Sequence, residues 1–291
     1  MGQTRRRILQ LLGGATLATT AGAALPGTAA ASPEAEAGGT GRGGTIPDRG
    51  IGMHLYTVRD ILAADPLGTL TALRDIGYQC VGVSAFPRPA AEIRDLCAQA
   101  RLKPVILHVG HGDIVGNWEN KLAEAKTIGV RWLVLSSFPS SMYTVEGMRL
   151  GAQQLTEAGR AAAELGMGVL HHNHDTEFRV LEGRSLYEIL LHETDPRCVD
   201  FELDIGWADR VGADSRWLFE DHPNRFPVLH VKDHNGSGGW ADVGHGVVDF
   251  PRIFEKAKVG GVKYWLVERD DQPAPLDTAA NSFQYLDNVR Y

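Results

Sequence analysis

The sequence predicts a single-domain α/β chain, a closed (β/α)8 TIM barrel. Three observations predict it: short strand-like runs alternate with helix-like runs through eight rounds, the rounds fill about 240 residues, and polar residues of chemical interest gather at the carboxyl ends of the strand-like runs. The strand candidates are Ile51–Val58, Gln79–Ser84, Pro104–Val109, Trp132–Ser136, Gly168–His172, Val199–Asp204, Pro227–Val231 and Tyr264–Glu268. Most are apolar nearly throughout, as strands of a parallel sheet covered on both faces must be. Helical spacing is clearest in 145–165, where Met148, Ala152, Leu155, Ala158, Ala162 and Leu165 recur every three or four residues and Gly166 stands ready to end the run. An open, doubly wound sheet also fits the alternation, but no Gly-x-Gly-x-x-Gly follows the first strand. The one similar stretch, Gly236 to Gly246, comes late and in a loop.

The 291 residues are 43% hydrophobic and 22% charged, an ordinary globular balance that permits one large core. The formal net charge is −7, and Arg5, Arg6 and Arg7 are the only charged residues of the first 31, which leaves −10 for the rest. Such a surface repels nucleic acid. Cys80, Cys97 and Cys198 are odd in number and widely spaced, so they form neither a disulfide framework nor a zinc-knuckle pattern and read as small core residues.

Residues 1–31 read as a targeting segment: Arg5-Arg6-Arg7 precede an uncharged run from Leu11 to Leu25, and Ala29-Ala30-Ala31 stand before Ser32 as a small-residue cleavage pattern. The run is diluted by Gly13, Gly14 and Gly22 and falls short of the roughly 20 apolar residues of a spanning helix, so no stable membrane anchor is expected. Thr4-Arg5-Arg6-Arg7-Ile8-Leu9 resembles a twin-arginine export signal, which implies an exported protein, periplasmic or extracellular, that folds with its metal before crossing. Residues 32–49, rich in Gly, Ala, Pro and Glu, read as a flexible leader, and 50–291 as the barrel.

Barrel strands alternate their side chains between interior and exterior. Glu202 with Asp204, Val228 with His230 and Lys232, and Leu266 with Glu268 therefore share the interior, and three strands aim Asp204, His230 and Glu268 at one axis. An Asp, a His and a Glu with no sulfur suit Mn²⁺, Zn²⁺, Co²⁺ or Mg²⁺. Such an ion can hold adjacent sugar oxygens, polarise a carbonyl and stabilise the enediolate left when a neighbouring proton is removed.

Six segments then carry a family resemblance: Gly52-Met53-His54-Leu55-Tyr56-Thr57-Val58-Arg59-Asp60, His172-Asn173-His174-Asp175-Thr176-Glu177-Phe178, Leu203-Asp204-Ile205-Gly206-Trp207, His230-Val231-Lys232-Asp233, Gly244-His245-Gly246-Val247-Val248-Asp249-Phe250 and Trp265-Leu266-Val267-Glu268. In this order and spacing, from Ile51 to about Asp271, the chain resembles the sugar phosphate isomerase/epimerase family, the xylose isomerase-like barrels that include tagatose epimerase and inosose dehydratase. The resemblance implies a metal held by a Glu after strand five, an Asp after strand six, a His after strand seven and a Glu after strand eight. Asp204, His230 and Glu268 match the last three, while His172 stands at the first, as in the subgroup with a His-Asn-His segment. Epimerases of the family use two metal-bound glutamates on opposite faces of the sugar. With one replaced, proton abstraction on a single face followed by loss of a leaving group competes with epimerisation.

The expected activity is a metal-dependent sugar isomerase or epimerase, with a keto-sugar or keto-glycoside lyase or dehydratase as the alternative. Glu268 is expected as ligand and base, with His172 or Glu177 completing the coordination or handling a second proton, and Lys232 facing a developing oxyanion or balancing Asp204 or Asp233. His54 and His108 are expected to line the pocket, Tyr56 and Trp207 to stack on a sugar, and His174 to stand at the mouth with His171 and His245. Two other classes compete: a zinc endonuclease-type phosphodiesterase, disfavoured by the acidic chain, and an idle sugar-binding protein, disfavoured by the intact Asp204, His230 and Glu268. No glycine-rich loop opens a helix to cradle phosphate, so an unphosphorylated sugar is expected. Monomer and homo-oligomer are both left open.

Overall fold

Each barrel strand is a short apolar run stopped by a polar or turn-forming residue. The structure, a computed structural model, describes residues 43–291. Among them, eight parallel strands close a barrel: β1 Ile51–His54, β2 Cys80–Val83, β3 Lys103–Val109, β4 Trp132–Leu135, β5 Gly168–His172, β6 Val199–Asp204, β7 Val228–Val231 and β8 Tyr264–Val267. Neighbours in sequence are neighbours in the barrel, and β1 closes it by pairing with both β8, Met53 opposite Val267, and β2, Met53 opposite Val81. Two small antiparallel hairpins, Val180–Leu181 with Arg184–Ser185 and Asp233–His234 with Trp240–Ala241, stand outside the barrel sheet.

The lumen is packed in layers, as a barrel of this size requires. Its lower part is apolar: Cys80, Ile106, Val134, Leu170, Val228 and Leu266 form a buried cluster separate from the larger one between strands and helices. Alternation along the strands puts His54, His108, His172, Glu202 and His230 above that layer. Burial pushes the Cys80 thiol up to about 12 and the Cys97 thiol up to about 11, and all three cysteines are free, so they serve as packing groups.

The helix Val145–Glu164 shows how the outer layer forms. Thr144 caps it by accepting the Gly147 N–H at 3.0 Å, Met148, Ala152, Leu155, Ala158 and Ala162 are buried along one face, and Gly166 follows at φ +74°. Ser185 and Glu188 make a reciprocal capping box at the head of Leu186–Glu193, which packs against it.

Two expected boundaries move by more than one residue. The first strand ends at His54 and not at Val58, because Leu55–Val58 winds into a 3-10 turn tied to β8 by the Arg269 N–H, which donates to Thr57 Oγ1 at 3.1 Å. The expected leader is not free along its whole length. Within 43–49, Ile46 is packed, only 5% exposed, and Gly44 pairs with the far end of the chain, its N–H donating to Tyr291 O at 2.8 Å and Tyr291 N–H donating back at 3.2 Å. The export segment at 1–31 lies outside the described residues. No helix among the described residues is long and apolar enough to cross a membrane.

Candidate active site and metal centre

Four residues from four strand ends meet at the top of the lumen. His172 ends β5, Asp204 ends β6, His230 lies in β7 and Glu268 follows β8; all are buried, and one ligand atom from each lies within 4.8 Å of those of the others. Local chemistry builds each part. Asp204 caps the short helix Ile205–Arg210 by accepting the Trp207 N–H on Oδ1 at 2.9 Å, which leaves Oδ2 buried without a hydrogen-bond donor. Gly206 is required there, since a Cβ would sit 2.7 Å from the Lys232 carbonyl. Asn173 clamps β5 to β6: its amide donates to Asp204 O at 3.2 Å and its carbonyl accepts the Asp204 N–H at 3.0 Å. The His-Asn-His segment thus gives one ligand, one clamp and one group at the mouth, His174, whose ring meets His172 edge-on at 4.8 Å and lies 5.6 Å from Trp207.

Lys232, 1% exposed, puts Nζ 3.4 Å from Asp204, 3.2 Å from Glu268 and 3.2 Å from Asp270. It does not balance Asp233. That carboxylate accepts the N–H groups of His234, Gly244, Gly246 and Val248 at 2.8 to 3.2 Å and so folds the loop that follows. Trp207 and Trp240 meet edge-on at 4.7 Å above Lys232, whose ammonium lies 4.7 Å from the Trp240 ring centre, and Arg210 covers both indoles.

Other expected site residues fall elsewhere. Glu177 is outside the cluster: it accepts from Tyr143 Oη at 3.1 Å and His174 N–H at 2.9 Å and faces His171 at 3.6 Å, so it orders its loop, and His172 is the residue of the two that stands in the cluster able to hold an ion. His171 points outward, among Phe138, Tyr187 and Phe201. His245 is exposed. His54 and His108 are deeper than a pocket lining: His54 is wedged between the rings of His108 at 4.5 Å and His230 at 4.3 Å, with Nδ1 3.4 Å from Glu268. Tyr56 lies in the turn after β1 beneath the Arg59 guanidinium, which also donates to the Asp270 carbonyl at 3.0 Å. Sequence reasoning put Glu202 in the interior without a task and passed over Trp240 and Asp270. The available signal for the first was its place between Asp200 and Asp204, on the same face of the strand Val199–Asp204.

Charge explains the protonation of the group. Burial alone would push the Glu268 and Glu202 carboxyls up, but Lys232 and His230 hold Glu268, and His230 and His108 hold Glu202, well below the usual carboxylate range. Burial lifts Asp204 to about 6 against the pull of Lys232. It pushes His230 down, yet Glu202 and Glu268 on either side outweigh it and the ring rises to about 10. Burial keeps His172 and His174 below the ordinary histidine value, and His54 falls to about 4 through burial and the neighbouring His230 and His108.

This constellation fits a divalent cation. Asp204, Glu268 and Asp270 face the Lys232 ammonium and Glu202 faces His230; with His230 neutral, as a ligand must be, the four carboxylates exceed that one ammonium by three charges, which a dication lowers to one. Two imidazoles and two carboxylates without sulfur form a donor set shared by Mn²⁺, Zn²⁺, Co²⁺ and Mg²⁺, and the buried Asp204 Oδ2 faces the cluster without a donor.

No protein-family model matches the chain. The inosose dehydratase of Geobacillus thermodenitrificans (strain NG80-2) is 26% identical over 216 residues, which span 66% of this chain and 67% of that protein. Among solved structures, a sugar phosphate isomerase/epimerase from Parabacteroides distasonis ATCC 8503 superposes with a TM-score of 0.73 and 23% identity, covering 82% of this chain and 93% of that one. The IolI protein, solved with a zinc atom, superposes with a TM-score of 0.62 and 16% identity over 81% of this chain and 94% of that one. Barrel and neighbours agree on the fold: the chain has the closed (β/α)8 barrel that these xylose isomerase-like proteins share, and its sequence is similar to that of an inosose dehydratase.

Proposed function

We propose that the protein is a divalent-metal-dependent enzyme that removes a proton next to the carbonyl of an unphosphorylated keto sugar or keto-glycoside and expels a group from the adjoining carbon, a lyase or dehydratase reaction. The single observation that carries this reading is the makeup of the cluster: one glutamate, Glu268, beside a buried ammonium, with His172 where a second glutamate would be needed for base chemistry on both faces. His172, Asp204, His230 and Glu268 would hold the dication, which when bound would supply Lewis-acid polarisation of the carbonyl.

Glu268 accepts the α-proton, the C–H electron pair becomes the new double bond as the leaving group departs with its own pair, and Glu268 gives the same proton to the leaving group, which restores the carboxylate. The Lys232 ammonium, 3.2 Å from Glu268, sets positive charge beside the carboxylate and the developing oxyanion. Trp207 and Trp240, packed edge-on, offer apolar surface to a sugar at the mouth. The inosose dehydratase relative supports the elimination branch. A second reading, isomerisation with return of the proton to the neighbouring carbon on the same face, uses the same residues and is favoured by the Parabacteroides neighbour. Export of the chain by residues 1–31 belongs to the proposal, because free sugar phosphates are scarce outside the cytoplasm.

The test is incubation of metal-replete protein with a panel of keto sugars, aldoses and keto-glycosides in deuterated water, followed by NMR. Elimination is expected to yield an unsaturated product and the isomerase reading a deuterated isomer. Binding of a panel member with neither exchange nor product would instead support a sugar-binding protein.

A further inference from the structure

Glu202 is 0% exposed, lies two residues before Asp204 on β6, and has no part in the ligand set or the proton transfer described above. Its Oε1 is 2.9 Å from His230 Nε2, and its Oε2 is 2.8 Å from His108 Nε2 and 3.4 Å from His172 Nδ1. The opposite nitrogen of His230, Nδ1, faces Glu268 at 2.7 Å and Asp204 at 3.9 Å. The two imidazoles of the cluster therefore each turn one nitrogen down to the same carboxylate and leave the other for the cluster.

A neutral imidazole carries its proton on one nitrogen and ligates through the other, so whatever accepts that N–H decides which nitrogen is free. We propose that Glu202 is the positioning residue of the metal centre, a single buried carboxylate that holds the Nε2–H tautomer of His230 and the Nδ1–H tautomer of His172. His230 Nδ1 and His172 Nε2 are thereby presented to one divalent ion. The inference rests on the reading of the cluster as a metal centre.

Two further observations support it. His108 fastens the carboxylate from the side, Nε2 to Glu202 at 2.8 Å and Nδ1 to Ser136 Oγ at 3.1 Å, which makes it a holder of Glu202. His230 Nε2, 2.9 Å from Glu202 Oε1, and His172 Nδ1, 3.4 Å from Oε2, are both buried and have no other hydrogen-bond partner among the described residues. The arrangement also accounts for the histidine on β5. A neutral ligand there removes one negative charge from the ligand set, and Glu202 restores it one layer deeper. His54, His108 and His230 are themselves close enough to share an ion. Glu202 already faces the Nε2 atoms of His108 and His230, at 2.8 and 2.9 Å.

The test is zinc titration, by calorimetry with a competing chelator, into metal-free wild type and Glu202→Gln, together with long-range ¹H–¹⁵N NMR of the histidine rings in zinc-loaded wild type. Expected are one zinc per chain, an affinity 10- to 100-fold weaker in Glu202→Gln, kcat restored at saturating zinc, and zinc-shifted Nδ1 of His230 and Nε2 of His172. Equal affinities in the two proteins, two zinc ions per wild-type chain, or ligation through the other ring nitrogens would each overturn the proposal. Should Glu202→Gln fail to fold, the wild-type ring spectra decide alone. A wild type that binds no divalent ion at all defeats the metal-centre reading itself, a distinct result.

Discussion

At position 204 the two carboxylate oxygens have separate tasks, since Oδ1 caps a helix and Oδ2 faces the cluster. Asparagine caps helices about as well as aspartate but ligates a dication poorly. Asp204→Asn should therefore lower zinc or manganese affinity by on the order of 100-fold or more while the metal-free protein melts at or above the wild-type temperature, because a buried carboxylate near Glu268 is removed. Paired melting curves and metal titrations check it; a large fall in the metal-free melting temperature would mean that the charge is needed for folding. Of the four cluster residues, Asp204, His230 and Glu268 were legible from strand alternation alone, because a period of two fixes which side chains share the lumen. The choice of His172 over Glu177 was not, since it depends on Tyr143, whose hydroxyl reaches Glu177 from a loop 34 residues earlier.

At the scale of elements, the loop from Asp233 to Phe250 shows how one side chain can shape a segment. Asp233 Oδ1 accepts from His234 and Val248, and Oδ2 from Gly244 and Gly246, while a Cβ at Gly246 would strike both the carboxylate and the His234 carbonyl. Asp233→Asn keeps the size but turns one acceptor into a donor, leaving two backbone N–H groups opposed by an amide. That should cost roughly 1–3 kcal/mol, read as a lower urea midpoint at unchanged m, and should raise KM more than it lowers kcat because the loop carries Trp240 to the mouth. The eight strands were legible because all are short and most are apolar, and β5 and β6 fall at their expected limits. The turn at Leu55–Val58 was not, since its cause is a tertiary hydrogen bond from Arg269, more than 200 residues away. The same holds for Gly44, which pairs with the far end of the chain.

Across the whole molecule, buried histidines govern how stability of the metal-free chain varies with pH. His54, at about 4, and His172, His174 and His222 all have folded-state values below 6.5, chiefly through burial, so the unfolded chain takes up their protons first. Their contribution is complete above about 6.5 and is lost as pH falls toward 4. His230 has the opposite sign: raised to about 10, it contributes stability that is complete below 6.5 and lost as pH climbs through 10. Asp200 and Asp204, both lifted to about 6 by burial, oppose the histidines between pH 4 and 6 without outnumbering them. The melting temperature of the metal-free protein should therefore peak near pH 6.5 to 7 and decline on both sides, by a few kcal/mol of stability at pH 5. In His230→Asn the decline from pH 7 to 9.5 should flatten while the acid limb persists. Calorimetry across that range in chelator measures both limbs, and an alkaline decline unchanged in His230→Asn would show that the proton between Glu202 and Glu268 does not stand in for the cation's charge.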